Sequence, residues 1–241
     1  MRPAHVVLVP LLALAALTSA PAVAAEWSLD PGQSVFAVLT HRAGLGARLA
    51  HDHLIVARGV STQLRFDPAD PAATRFDFSV PTLSLDVDPT AERRRWGPRL
   101  VELGALSGEL PEIDADDRAD VRKAMLAPGQ LHAERFPTIS AELDGLERRG
   151  SGAANARVAL GWDARVRVSL HGRTIERVFP VRWEQKDGEL TAEALGEFQF
   201  TEFDIEPYSA MLGAVRNSEL FHIYVKIVAH ADPGTGSPEE H

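Results

Sequence analysis

Cysteine is missing from all 241 residues. That excludes disulfides and the acylated cysteine of a lipoprotein. Stability therefore has to come from an ordinary core, which a chain of this length can bury. Beyond the first 25 residues no run is apolar enough for a membrane helix, which needs about 20 residues. Basic charge is also in short supply: 25 Lys and Arg face 34 Asp and Glu, a formal charge of −9. An acidic chain of this kind argues against a nucleic-acid partner. Sequence motifs for catalysis are absent. There is no G-x-S-x-G, no phosphate-binding glycine loop and no H-E-x-x-H. Asp114, Asp116 and Asp117 cluster, but without the glycine and distal glutamate of a calcium loop.

The N-terminus reads as a cleavable export signal. Met1 and Arg2 give a positive start, Val6 to Leu17 an apolar run, and Ala22-Val23-Ala24 a small-x-small cleavage pattern. Residues 1–25 are therefore expected to be a signal peptide. The mature chain should begin near Ala25 or Glu26 and work in the periplasm or as a secreted protein. The alternative is an uncleaved N-terminal anchor.

Period-two alternation dominates the mature chain. Val60, Thr62, Leu64 and Phe66 share one face, as do Phe76, Phe78 and Val80, and, after Pro81, Leu83, Leu85 and Val87. The longest run is Val158, Leu160, Trp162, Ala164, Val166, Val168 and Leu170, with Asp163, Arg165, Arg167 and Ser169 opposite. Such runs are half-buried antiparallel strands, and the length suits a curved barrel wall. Phe179, Val181 and Trp183 alternate, then Ala192, Ala194, Gly196, Phe198 and Phe200, then Phe221, Ile223, Val225, Ile227 and Ala229. His171-Gly172-Arg173 and Lys186-Asp187-Gly188 are tight links between strands.

One region breaks the alternation. Asp88-Pro89 is expected to open a helix, with Asp88 as N-cap, running to about Leu103. Asp116 is expected to cap a second helix through Leu126, stopped by Pro128-Gly129. Residues 232–241, rich in Pro, Gly, Ser and Glu, are expected to be a disordered tail. The fold class expected is all-β, an antiparallel barrel with one or two short helices.

Four blocks, in order, resemble the YceI-like family. They are Trp27-Ser28-Leu29-Asp30-Pro31 with Ser34 to Val38 and His41; Ala133 to Ile139; Leu160 to Leu170 followed by His171-Gly172-Arg173-Thr174; and Phe203 to Tyr208 with Gly213 and the strand from Leu220. Gly44 to Asp52 is similar to a branch of the family with a Gly-Leu…Ala-His-Asp motif. In place of the usual Asp-Phe-Gly-Ile stands Phe203-Asp204-Ile205. The resemblance spans residues 26–231. It implies a lipocalin-like barrel whose apolar cavity holds a long lipid or isoprenoid chain, with no cofactor and no catalytic residue. An eight-stranded barrel is just wide enough for one small ligand.

The candidate ligand-binding residues are the inward faces of these strands: Leu160, Trp162, Ala164, Val166, Val168, Phe179, Trp183, Phe198, Phe200 and Phe221. Filling a solid core is their ordinary use, and periodicity alone does not separate the two. The alternative function is a metal-binding protein or metalloenzyme. On a strand, His51 and His53 would point to one side about 6–7 Å apart and could share a metal with His41 as third ligand. His171 and His222 are expected to be solvated. Arg93-Arg94-Arg95 beside Trp96 could make transient contact with a membrane surface. More ordinarily such a run is a solvated helix face.

Overall fold

The computed structural model describes residues 25–44, 51–149, 161–210 and 215–232. The expectations for the signal segment, for Leu160 and for the C-terminal tail after Asp232 fall outside these residues.

Three bent strands begin the wall. β1 (Ala25–Leu29) and β2 (Val35–Ala43) are two limbs joined at a turn, where the Asp30 carboxylate accepts from the Gly32 and Gln33 amides at 2.7 and 3.1 Å. β3 (His53–Ala57) and β4 (Ser61–Phe66) bend at Gly59, whose φ is +60°. β5 (Arg75–Pro81) and β6 (Leu85–Val87) bend at a 3-10 turn over Thr82–Ser84. β7 (Thr138–Arg148), β8 (Trp162–Leu170), β9 (Arg173–Lys186) and β10 (Glu189–Gln199) come next as a meander. The two-residue β11 (Ser209–Ala210) leads to β12 (Val215–Ala231). β12 pairs back onto both limbs of the first strand, Phe36 opposite Val225 and Leu29 opposite Ala229. Counting each bent pair once, the result is a closed antiparallel barrel of eight strands. Closure leaves no exposed sheet edge along most of the wall.

The links have the chemistry their sequences suggest. At His171-Gly172 and Asp187-Gly188 both residues take positive φ, between 52° and 79°. That conformation joins twisted strands in two residues. Gly145 has φ +90° at a register shift between β7 and β8. A Cβ there would stand 2.7 Å from the Ala72 carbonyl oxygen.

The helices sit between β6 and β7. α1 (Thr90–Glu102) packs on the outside of the barrel. Leu100, Leu103 and Leu106 cover Val35, Ala37 and Leu39 of β2, Leu54 and Val56 of β3, and Tyr224 of β12. β2 is therefore apolar on both faces, one toward the barrel interior and one toward α1. α2 (Ala115–Leu126) buries no residue fully. Its Val121 and Met125 rest on Ile55, Leu85 and Val87. There they cover the seam where β6 departs from β7.

Local details correct the sequence reading. Asp88 is not the cap of α1. It takes a left-handed φ of 50°, and its carboxylate accepts from the Leu54 amide, His53 and Arg93. A buried arginine prevails over an exposed helix end, because an uncompensated charge in the interior costs more than a lost cap. Asp114, not Asp116, caps α2, accepting from the Asp117 amide at 2.8 Å. Leu83 does not share the inward face with Leu85 and Val87. The 3-10 turn swings it out to 60 % exposure. The arginine run does not form one patch either. Arg93 is buried, Arg94 pairs with Glu112, and Arg95 donates to the Gly32 carbonyl and lies over Trp96.

Candidate ligand cavity

The interior of the barrel is hollow over part of its length. A cavity of about 540 Å³ is walled by Phe36 and Val38 of β2, Ile55 of β3, Phe76, Phe78 and Val80 of β5, Ala192 and Ala194 of β10, and Ile223, Val225 and Ile227 of β12. The volume falls in the range of small-molecule sites. Small residues make the room. On β10 the inward positions in mid-strand are Ala192, Ala194 and Gly196, opposite Ile227, Val225 and Ile223. On β8 the inward Ala164 is fully buried.

Aromatic side chains close one end. Trp27, Phe66, Trp183 and Trp162 touch in sequence, edge to face or tilted, with centroids 4.9–6.1 Å apart. The Trp27 indole donates to the Phe66 carbonyl at 3.1 Å, whereas Trp183 Nε1 is buried with no hydrogen-bond partner among the described residues.

Of the candidate residues, Ala164, Val166, Val168, Phe179, Phe200 and Phe221 line the cavity. Trp162, Trp183 and Phe198 do not. Trp162 and Trp183 share the inward parity but lie beyond the cavity's end, in the floor. Phe198 is packed between Phe179, Phe203 and Phe221. Parity fixes which face a side chain takes, whereas its height along the barrel axis decides whether it meets a void or a neighbour. Sequence reading missed the lining from β2, β5 and α2. Phe76, Phe78 and Val80 carried the same alternation. For Val121 and Met125 of α2 no periodic signal existed.

The opposite end of the cavity is polar. It is bordered by Thr40, His51, His53, Asn217, Arg216 and Tyr208, and by Asp117 and Asp120 of α2. His53 Nδ1 donates to Asp88 Oδ2 at 2.6 Å, and Asp88 in turn holds the buried Arg93. The three histidines expected to converge on a metal do not. His53 faces the interior opposite Thr40, while His41 meets His222, Nε2 to Nδ1 at 2.7 Å. Among the described residues, no three or more His, Cys, Asp or Glu side chains are grouped to hold a metal ion. Burial lowers the proton affinity of His41, against the pull of Asp52 and Glu197. His222 is not solvated as expected but is buried against His41, while His171 stays half-exposed, with Nδ1 donating to the Phe203 carbonyl at 2.9 Å.

The family model for the YceI-like domain matches residues 27–229. The chain belongs to the YceI-like family. Among solved structures it is similar to Burkholderia cenocepacia BcnA. The identity is 11 % and the TM-score 0.55, over 83 % of this chain and 99 % of that one. A YceI protein of Campylobacter jejuni aligns at 11 % identity with a TM-score of 0.47, over 74 % and 85 % of the two chains. A polyisoprenoid binding domain from Saccharophagus degradans aligns at 10 % with a TM-score of 0.45, over 87 % and 99 %. No curated protein matches the chain.

The blocks that carried the YceI-like resemblance turn out to be joints of the barrel. Ser34 Oγ both donates to the Val228 carbonyl and accepts from the Val228 amide, pinning the bend of the first strand to the last. The Phe136 ring fills the space over Gly172, where a Cβ would be 2.7 Å away. Phe203 is buried behind the cavity wall, and Ile205 is buried in the wall itself.

Proposed function

We propose that this YceI-like barrel is an exported, non-enzymatic carrier that holds a lipid or isoprenoid chain in its cavity. The observation that carries the reading is the void itself. It is lined by aliphatic and phenyl side chains, floored by indoles, and open toward a polar end. An empty apolar cavity forfeits packing energy on every wall. A guest chain restores those contacts and gains about 0.8 kcal/mol per methylene removed from water. The export signal read in residues 1–25 supports work in the periplasm or outside the cell. There a free lipid chain has no soluble environment of its own.

Ala164→Trp tests the reading. Ala164 lies on the wall with no solvent exposure. An indole there should fill the void, leave the barrel folded and reduce uptake of a C20 prenyl alcohol at least tenfold. If the parent takes up no chain, and the variant melts with the ~1–3 kcal/mol loss expected of an overpacked core, the interior is structural and the proposal fails.

A further inference from the structure

The polar end of the cavity holds a ring nitrogen that has no hydrogen-bond partner among the described residues. His53 sits opposite Thr40 on the inward face, and its side chain keeps 15 % exposure on the cavity surface. Its Nδ1 is committed to Asp88, a carboxylate buried completely and fixed from two further directions by the Leu54 amide and Arg93. A carboxylate oxygen only accepts, so Nδ1 must carry the hydrogen. In the neutral ring Nε2 is then a bare acceptor. Nε2 has no hydrogen bond among the described residues and is not sealed in the core. His51 Nδ1, two residues earlier on the same border, is buried and also lacks a partner among them.

The geometry points to His53 as the head-group anchor of the cavity, selecting an amphiphile whose polar end is neutral and donates a hydrogen bond, such as a prenyl alcohol. This deepens the carrier reading and rests on it. Two features set the chemistry of the head. The fixed tautomer offers an acceptor, so a hydroxyl or amide N–H is matched and an ether or ketone is not. The rim charge disfavours an anion: among the described residues Asp117 and Asp120 border the same opening against Arg216. Asp88 itself is compensated by Arg93. A phosphate or carboxylate head would add negative charge to an opening already bordered by two carboxylates and one arginine.

Four probes of one C20 chain separate the possibilities: the prenyl alcohol, its methyl ether, its monophosphate and the parent hydrocarbon, each titrated into the mature protein. The alcohol should bind about fivefold tighter than the ether, the size of one neutral hydrogen bond, and tighter than the monophosphate. His53→Leu should bring the alcohol-to-ether ratio to about one. Asp88→Asn should bring it to about one as well, by tightening the ether, because a hydroxyl and an ether oxygen both accept. Its amide oxygen keeps the Leu54 and Arg93 bonds, its nitrogen now donates to Nδ1, and Nε2 becomes the donor. If that variant does not fold, the leucine variant decides alone. Equal binding of alcohol and ether to the parent overturns the assignment while leaving the carrier reading intact. So does a ratio that survives His53→Leu, or a preference for the monophosphate. If none of the four probes binds, the carrier reading falls and the anchor with it.

Discussion

The Phe179 ring lies directly on the backbone of Gly196: a Cβ at position 196 would stand 2.0 Å from Phe179 Cε1. β9 and β10 stay paired only as far as Val181 opposite Ala194, and the ring occupies the space where they part. Gly196 is a residue whose missing side chain sets the shape of the cavity wall. Gly196→Ala should cost about 1–3 kcal/mol, because the ring has to be displaced. Phe179→Leu should relieve the clash. The double variant should therefore be more stable than the sum of the single losses, measured by denaturant melts. Simple additivity would mean the two positions do not touch.

His41 and His222 share one hydrogen bond between ring nitrogens, which requires one of the two to be a bare acceptor. Burial holds His41 below its ordinary proton affinity. The unfolded chain therefore takes up the proton more readily than the folded one. His41 contributes nothing to acid sensitivity above about pH 6.5 and costs stability as the pH falls below it. The melting temperature should drop between about pH 6.5 and 5, and His41→Phe should flatten that slope. An unchanged slope in the variant would place the acid sensitivity elsewhere.

Glu193 ties α1 to the barrel. Its carboxylate accepts from Arg99 at 2.9 and 2.6 Å, from the Tyr224 hydroxyl at 2.9 Å and from Arg182 at 3.1 Å. Desolvation pushes its proton affinity up, but the bonds from Arg99 and Tyr224 and the charges of Arg99 and Arg182 outweigh it, and the net direction is down. This contribution is present above the ordinary carboxyl range and fades as the pH falls through it, below about pH 4.3. Glu193→Ala strands a buried phenol, takes the carboxylate partner from Arg182 and leaves Arg99 with Glu102 alone. Because Arg99 and Arg182 are partly exposed, the loss should be about 2–3 kcal/mol, less than for a fully buried pair. A melt within about 0.5 kcal/mol of the parent, on the ordinary surface scale, would show that α1 is held without Glu193, by its apolar face and the contacts of Arg93 and Arg95.

Much of this architecture was readable from alternation. The run from Trp162 to Leu170 and the run from Phe221 to Ala229 declared both their strands and their inward faces, and glycines at 172 and 188 declared the links. What alternation could not supply was depth. Trp162 and Ala164 have the same parity, yet one is floor and the other is wall. The polar end was half-visible. His51 and His53 stood out as a pair, but the partner of His53 lay 35 residues on in Asp88, a residue whose helix-start pattern pointed to another use. The competition between a cap and a buried arginine is settled by three-dimensional packing, which no local spacing encodes.

Whether the barrel carries a chain in its cavity is tested most directly by native mass spectrometry of the protein, purified without detergent. The expected result is a species heavier than the polypeptide by one lipid-sized mass. Organic extraction should remove that mass, and incubation with a C20 prenyl alcohol should restore it to the parent but not to Ala164→Trp. A polypeptide that runs at its bare mass before and after such incubation would contradict the carrier function and leave a barrel whose interior serves only its own stability.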